Sequence, residues 1–316
     1  MTTPERVGSV AELWRFPVKS MLGEQLDSVE LTDTGIAGDR AYGIVDLATG
    51  KIASAKHPRL WPDLPRCRAT FLAPPVPGRP APPARIELGD GTVVHTDAAD
   101  VDAVLSDYFG RQVALTSAAP ADYTIAEYHP DIEHLNPAGD RDTVVDQRLG
   151  SAFFAALGLP SVVPEGALVD LFPLSVLTTS SLRRFAELTP DSDWDVRRFR
   201  MNVIIDSGAD GLAENGWVGS ALTFDGGPSL VAAIPTPRCV MTSLAQEELP
   251  HDPAMLRSIA RHNRLDVAGA GRYPCLGVYA VPARPGAVHV GDPVTTEPAE
   301  FTLTVDDVQS TSSPTV

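Results

Sequence analysis

Arg85-Ile86-Glu87-Leu88-Gly89-Asp90-Gly91-Thr92-Val93-Val94-His95 is the stretch on which the fold class turns. Two strand-length runs flank Gly89-Asp90-Gly91, whose residues accept φ > 0, and that combination predicts a β-hairpin. Working outward, residues 10–16, 26–31, 41–45 and 52–55 are apolar runs of strand length. Polar or glycine-containing turns such as 47–50 separate them, so the N-terminal third is expected to be a β meander. Residues 74–85 hold six prolines, a stiff surface loop ahead of the hairpin. After it, Val101, Val104, Leu105 and Tyr108 have helical spacing, with Asp100 at the N-cap position and Gly110 past the end.

Residues 117–147 are polar and are expected to cross between domains. Beyond them the pattern predicts helices over 147–157, 181–188 and 253–263, and strands over 203–206, 222–224, 230–234, 240–244, 278–281 and 287–290. Strands and helices do not alternate regularly, so the expected class is α+β and β-rich.

The 316 residues, 43% apolar and 21% charged, allow two domains and a core of ordinary size. The net charge of −16 argues against nucleic acid or an anionic membrane as a partner, and an anionic ligand must find a local basic pocket. Only Lys19, Lys51 and Lys56 are lysines; the other 22 cations are arginines. Cys67, Cys239 and Cys275 form no C-x-x-C pair, which fits a reducing compartment. The opening MTTPERVGSV lacks the apolar core of a signal peptide and no run reaches membrane-span length, so a cytoplasmic protein is expected. No histidines are spaced as metal ligands, and no Gly-rich dinucleotide loop, Walker loop or nucleophile elbow occurs in its required context.

Among the cysteines, Cys239 stands out in Pro235-Thr236-Pro237-Arg238-Cys239-Val240-Met241-Thr242. The prolines fix the backbone, and the adjacent arginine is expected to favour the thiolate, the nucleophilic and metal-ligating form. Read alone, a cysteine is more often a small buried side chain, here one entering a strand.

Trp14-Arg15-Phe16-Pro17-Val18-Lys19-Ser20 with Gly35-Ile36-Ala37-Gly38-Asp39-Arg40 resembles the signature of the N-terminal β-barrel that precedes a MOSC (molybdenum cofactor sulfurase C-terminal) domain. Four later segments resemble the MOSC domain itself: Phe172-Pro173-Leu174-Ser175-Val176-Leu177-Thr178-Thr179, Arg198-Phe199-Arg200-Met201-Asn202, Thr236-Pro237-Arg238-Cys239, and Tyr279 with Gly291-Asp292-Pro293. The order is kept over roughly residues 7–295. The resemblance implies a MOSC N-terminal β-barrel domain over 5–125, a MOSC β-barrel domain with a few helices over 140–297, and an acidic Ser/Thr-rich tail over 298–316.

The resemblance extends to the amidoxime-reducing components, most of all their soluble bacterial branch. It implies a molybdenum–molybdopterin cofactor ligated by Cys239, the soft thiolate expected for such a metal, and reduction of N-hydroxylated compounds by oxygen-atom abstraction. It places Lys19, Ser20, Arg40, Arg200, Asn202, Arg238 and Tyr279 on the pterin and its phosphate, with Leu171 and Phe172 contributing backbone. Pyridoxal phosphate binding accompanies the resemblance as a family-level association. Pro237 stands where those reducers carry a hydrogen-bonding side chain, and Arg198 and Met201 also depart from their pattern. Two rivals share the scaffold: a carrier of the cofactor or of a persulfide on Cys239, and a tailoring enzyme with another substrate. With no cysteine set for an iron–sulfur cluster and no flavin or nicotinamide fingerprint, the partners expected are a separate electron-donor protein and a small-molecule substrate.

Overall fold

The computed structural model describes residues 4–300; the rest of the expected tail, 301–316, lies outside the described residues. Seven strands close into a barrel: β1 (Glu5–Arg15), β2 (Leu174–Thr178), β3 (Val203–Asp206), β4 (Ser220–Thr223), β5 (Ser229–Pro237), β6 (Arg272–Arg284) and β7 (Pro293–Pro298). The pairing runs β2-β3-β1-β7-β4-β5-β6 and returns from β6 to β2. An odd-numbered barrel cannot be antiparallel throughout. The parallel pair is β2 with β3, joined by a crossover containing α3 (Thr179–Leu188) once α1 (Val101–Phe109) and α2 (Gly150–Ala156) have passed.

Side-chain alternation explains the apolar runs in these strands. Val176, Val203 and Ile205 point into the barrel with Leu13, Leu230 and Val278. Their neighbours Leu177 and Ile204 face outward, onto Phe185 of α3 and Ile259 of α4 (Pro253–His262). Both faces of β2 and β3 are therefore buried, and they read as continuous apolar runs. Thr178 caps α3 through the Ser181 N–H, and Asp252 caps α4 through the Ala254 N–H.

The expected meander is not formed as one sheet. β1 leaves its sequence neighbours, apart from the short Glu24–Leu26 strand, and inserts between β3 and β7. The remaining N-terminal strands form three small sheets: Gly43–Asp46 with Val113–Thr116; Arg68–Phe71, Ala84–Glu87 and Val93–His95; and Ser28–Thr32 between Gly35–Ile36 and Gly286–His289. The hairpin at Gly89-Asp90-Gly91 lies in the second of these. They enclose a second core of Val18, Met21, Ile44, Trp61, Leu64 and Ile86.

Three local expectations differ. Residues 240–244 form a 3-10 turn, Val240–Ser243, instead of a strand. Val240 and Leu244, four apart, both turn into the N-terminal core, and a short apolar run cannot distinguish the two periods. Residues 52–55 make only one isolated bridge, Val45 with Ile52. Asp100 occupies the N-cap position without a side-chain capping bond, while Gly110 closes α1 in the left-handed region. The polar stretch 117–147 carries structure of its own, the antiparallel pair Thr124–His129 and Thr143–Arg148. Among the described residues no helix is long and apolar enough to cross a membrane.

Candidate functional site

Phe16 follows β1 and begins the site. Its N–H donates to Asp39 Oδ1 at 2.8 Å, and its carbonyl accepts the Arg40 N–H at 2.7 Å. Asn202 Nδ2 donates to Asp39 Oδ2 at 3.0 Å and to the Trp14 carbonyl at 3.3 Å. One carboxylate, absent from the expected site set, thus ties together three distant segments of sequence. Arg40 pairs with the same carboxylate and donates to the Arg200 carbonyl at 3.1 Å. The two guanidinium groups lie 4.5 Å and 4.4 Å from the centre of the Phe16 ring.

Ser20, Arg40 and Arg200 adopt φ of 68°, 49° and 53°. Left-handed backbone in non-glycine residues is uncommon and is held by surrounding structure, often at functional positions. All three line one cleft of about 110 Å³.

The cleft gathers Lys19, Ser20, Arg40, Phe172, Arg200, Asn202, Arg238, Cys239 and Tyr279. Of the expected residues only Leu171 lies outside it, on a second, more apolar chamber of about 220 Å³. Cys239 lines both spaces, together with Lys56, Asp170, Pro237, Arg238 and Tyr279. The half-buried thiol therefore stands at the junction of a cation-rich cleft and an apolar chamber.

Lys56, Asp170 and Glu127 were not among the expected residues. Lys19 pairs with Asp170 and donates to the Leu168 carbonyl at 3.2 Å. Lys56 lies 3.0 Å from Asp170 and 3.5 Å from Glu127. Burial works against the Lys56 cation, but Asp170 and Glu127 outweigh it and hold its pKa well above the ordinary value. Lys19 goes the other way, lowered by burial despite Asp170. The signal available in sequence was thin: Lys56 is one of three lysines, and Asp170 adjoins Leu171.

Burial pushes the Cys239 thiol up to about 11, and Lys56 is the chief cation opposing that rise. The expectation that Arg238 supplies this help is corrected by where its guanidinium goes. It donates to the Leu276 carbonyl at 2.8 Å, the Phe199 carbonyl at 3.0 Å and Met201 Sδ at 2.8 Å. Arg238 thus ties the end of β5 to β6 and to the turn before Arg200. Gly277 makes room for this contact: at φ 82°, a Cβ there would lie 2.7 Å from the Val176 carbonyl oxygen and 2.5 Å from Met201 Cε. Tyr279 stacks on Phe172 at 5.4 Å and 15°.

Lys19, Lys56, Arg40, Arg200 and Arg238 thus outnumber the carboxylates Asp39, Asp170 and Glu127 around the junction. Burial and the neighbouring Arg40 push the Arg200 pKa down to about 9. Thr236 Oγ1, also on the cleft, is buried without a hydrogen-bond partner. Surplus buried cation, an unpartnered hydroxyl and a soft thiol donor fit a phosphate-bearing group with a thiophilic metal. Among the described residues no cluster of three or more His, Cys, Asp or Glu could hold a metal by itself.

The chain matches the MOSC N-terminal beta barrel domain over residues 7–110 and the MOSC domain over residues 165–295. Mitochondrial amidoxime-reducing component 1 of Homo sapiens is 24% identical over 303 residues, spanning 92% of this chain and 83% of its own length. Among solved structures, the YuaD protein of Bacillus subtilis is 13% identical, with a TM-score of 0.45 over 94% of this chain and 100% of that one. A hypothetical protein is 14% identical, with a TM-score of 0.29 over 46% and 61%.

Proposed function

Carrying a MOSC N-terminal β-barrel domain ahead of a MOSC domain, the chain is a MOSC-domain protein, and we propose that it is a molybdenum-cofactor-dependent reductase of N-hydroxylated compounds. The observation that carries this reading is the position of Cys239, a lone half-buried thiol between a cation-rich cleft and an apolar chamber. The likeness to an amidoxime-reducing component over most of the chain supports it.

Cys239 would hold the metal as its thiolate, with Lys56 favouring ionisation. Arg40 and Arg200, with Lys19 behind them, would hold the terminal phosphate; Ser20, Thr236 and Asn202 offer neutral hydrogen-bonding groups. Arg238 acts as a positioning residue, fixing the backbone that presents Cys239. When bound, the molybdenum–molybdopterin group supplies two-electron redox chemistry at an N–O bond. Each turnover consumes two electrons and two protons and releases the reduced nitrogen compound and water. The electrons come, on this reading, from a separate donor protein.

The test uses protein made in a host that synthesises the cofactor. It should hold about one molybdenum per chain and reduce benzamidoxime with reduced viologen, but not with NADH or NADPH alone. Cys239→Ala should lose both metal and turnover while its melting temperature moves by no more than about 2 °C, since little volume is removed. A Cys239→Ala protein that keeps molybdenum and rate overturns the assignment. Molybdenum held without turnover under any reductant favours a cofactor carrier instead.

A further inference from the structure

The chamber on the far side of Cys239 is walled by a part of the chain that neither matched domain includes. Tyr128 and Leu149 come from or adjoin the Thr124–His129 and Thr143–Arg148 pair, and Phe153 comes from α2. These residues fall between the matched ranges 7–110 and 165–295. Another wall is Val267 and Ala270, from the turn that leads into β6, with Tyr273 of β6 itself. Next to Ala270, Gly271 packs closely on the same intervening part of the chain: a Cβ there would lie 2.5 Å from Pro137 Cγ. Ala270, exposed beside this contact, stands on the rim.

We propose that this chamber binds the substrate's body, that the body it selects is aromatic, and that residues 128–153 with 267–273 set the specificity. The inference rests on the reading of Cys239 as the reaction centre and adds the substrate class. Aromatic side chains at 128, 153, 273 and 279 line the space, and ring-on-ring contact rewards a flat aromatic guest. The charges at its inner end are already partnered: Lys56 by Asp170 and Glu127, Arg238 by backbone carbonyls. Arg148, exposed on the lining, has no such partner among the described residues. His129 is held through Nδ1, while its Nε2 is buried without a hydrogen-bond partner. Asn136 Oδ1 accepts the Asp140 N–H at 3.1 Å, which turns Asn136 Nδ2 toward His129 Nδ1. The N–O end of such a guest lies inward, where Cys239 is.

The test plugs the rim. Ala270→Trp is made in the full, cofactor-loaded chain, with Val218→Trp, an exposed position off the chamber, as control. Binding of benzamide, a non-reducible aromatic probe, is measured by calorimetry. The kcat/KM ratio of benzamidoxime to acetamidoxime is measured with reduced viologen. Benzamide affinity and the ratio should each fall about tenfold or more in Ala270→Trp, the scale of losing a buried phenyl ring, and neither should move in Val218→Trp. Should Ala270→Trp fold poorly, Phe153→Ala serves instead, widening the chamber and shifting the ratio toward a naphthyl amidoxime. Unchanged benzamide binding and an unchanged ratio in a folded variant overturn the chamber. Benzamide binding that is lost in Ala270→Trp, in a protein that reduces no N-hydroxy compound, upholds the chamber and overturns the reductase reading.

Discussion

Arg200 is half-buried against a second guanidinium, and its own side-chain partner is one backbone carbonyl, that of Met21. Its lowered pKa measures how poorly the unliganded fold accommodates that charge. An apolar side chain of similar length removes the desolvation cost, and such replacements of buried charge are often neutral or stabilising. Arg200→Met is therefore expected to leave cofactor-free protein as stable as the parent, or more so by about 1–3 kcal/mol. The same change should lower molybdenum content at least about fivefold, since a charge-assisted contact to phosphate is lost. Urea unfolding of the cofactor-free form and metal analysis of the loaded form check the two halves. A large loss of stability in the cofactor-free variant would mean that Arg200 holds the fold and not a ligand.

Glu214 works at the scale of elements. It sits fully buried in the 3-10 turn Ala213–Trp217, where Oε2 accepts from Thr178 and Ser181 at 2.6 Å each, and Oε1 accepts the Gly277 N–H at 3.2 Å. One carboxyl thus joins the end of β2, the first turn of α3 and the middle of β6. Burial raises its pKa, outweighing the hydroxyl and backbone donors. For an acid raised on folding, the folded state binds more protons than the unfolded one between the two pKa values, so ∂ΔG/∂pH is negative there. The carboxyl's contribution is complete below the unfolded value and is lost as pH rises through the folded one. Glu214→Gln keeps a carbonyl for Gly277 and an amide for the hydroxyls while removing the charge. It should match the parent near pH 4 and exceed it by about 1 kcal/mol at pH 7.5. Denaturant melts at the two pH values decide it; a variant weaker than the parent at pH 7.5 shows that the ionised form is the one the elements need.

At the scale of the whole molecule, the barrel is closed by a strand from the other end of the chain. Without β1, strands β3 and β7 lose their shared partner, and the barrel opens at two unpaired edges. A fragment of residues 111–316 is accordingly expected to aggregate or stay unfolded, as read by gel filtration and circular dichroism, although it contains every residue of the MOSC match. Cleaving the intact protein in the Pro-rich 74–85 loop should leave the two pieces associated, because the contacts between them are sheet pairing and core and not the loop. A folded, monomeric 111–316 fragment would show that β1 is dispensable.

The β-rich class, the hairpin at Gly89–Gly91 and helices α1, α3 and α4 were legible in sequence, because period and turn chemistry are local properties. The motifs carrying Lys19, Arg40, Arg200 and Cys239 were legible too, each being a contiguous run. Tertiary structure decided the rest. Nothing local told β1 to leave its neighbours for strands some 190 and 285 residues away, since both faces of an apolar strand look alike before pairing. Nor could the 240–244 run reveal a 3-10 turn, whose cause is a core built from the other half of the chain. Lys56, Asp170 and Glu127 carry no motif, and they meet around Cys239 only once the chain has folded. Arg238 sits beside Cys239 in sequence, yet it is Lys56 that chiefly opposes the rise of the thiol's pKa. Sequence adjacency fixes Cα spacing, whereas the field at a side chain depends on where each charged end points, and backbone carbonyls of Leu276 and Phe199 draw the Arg238 guanidinium to themselves.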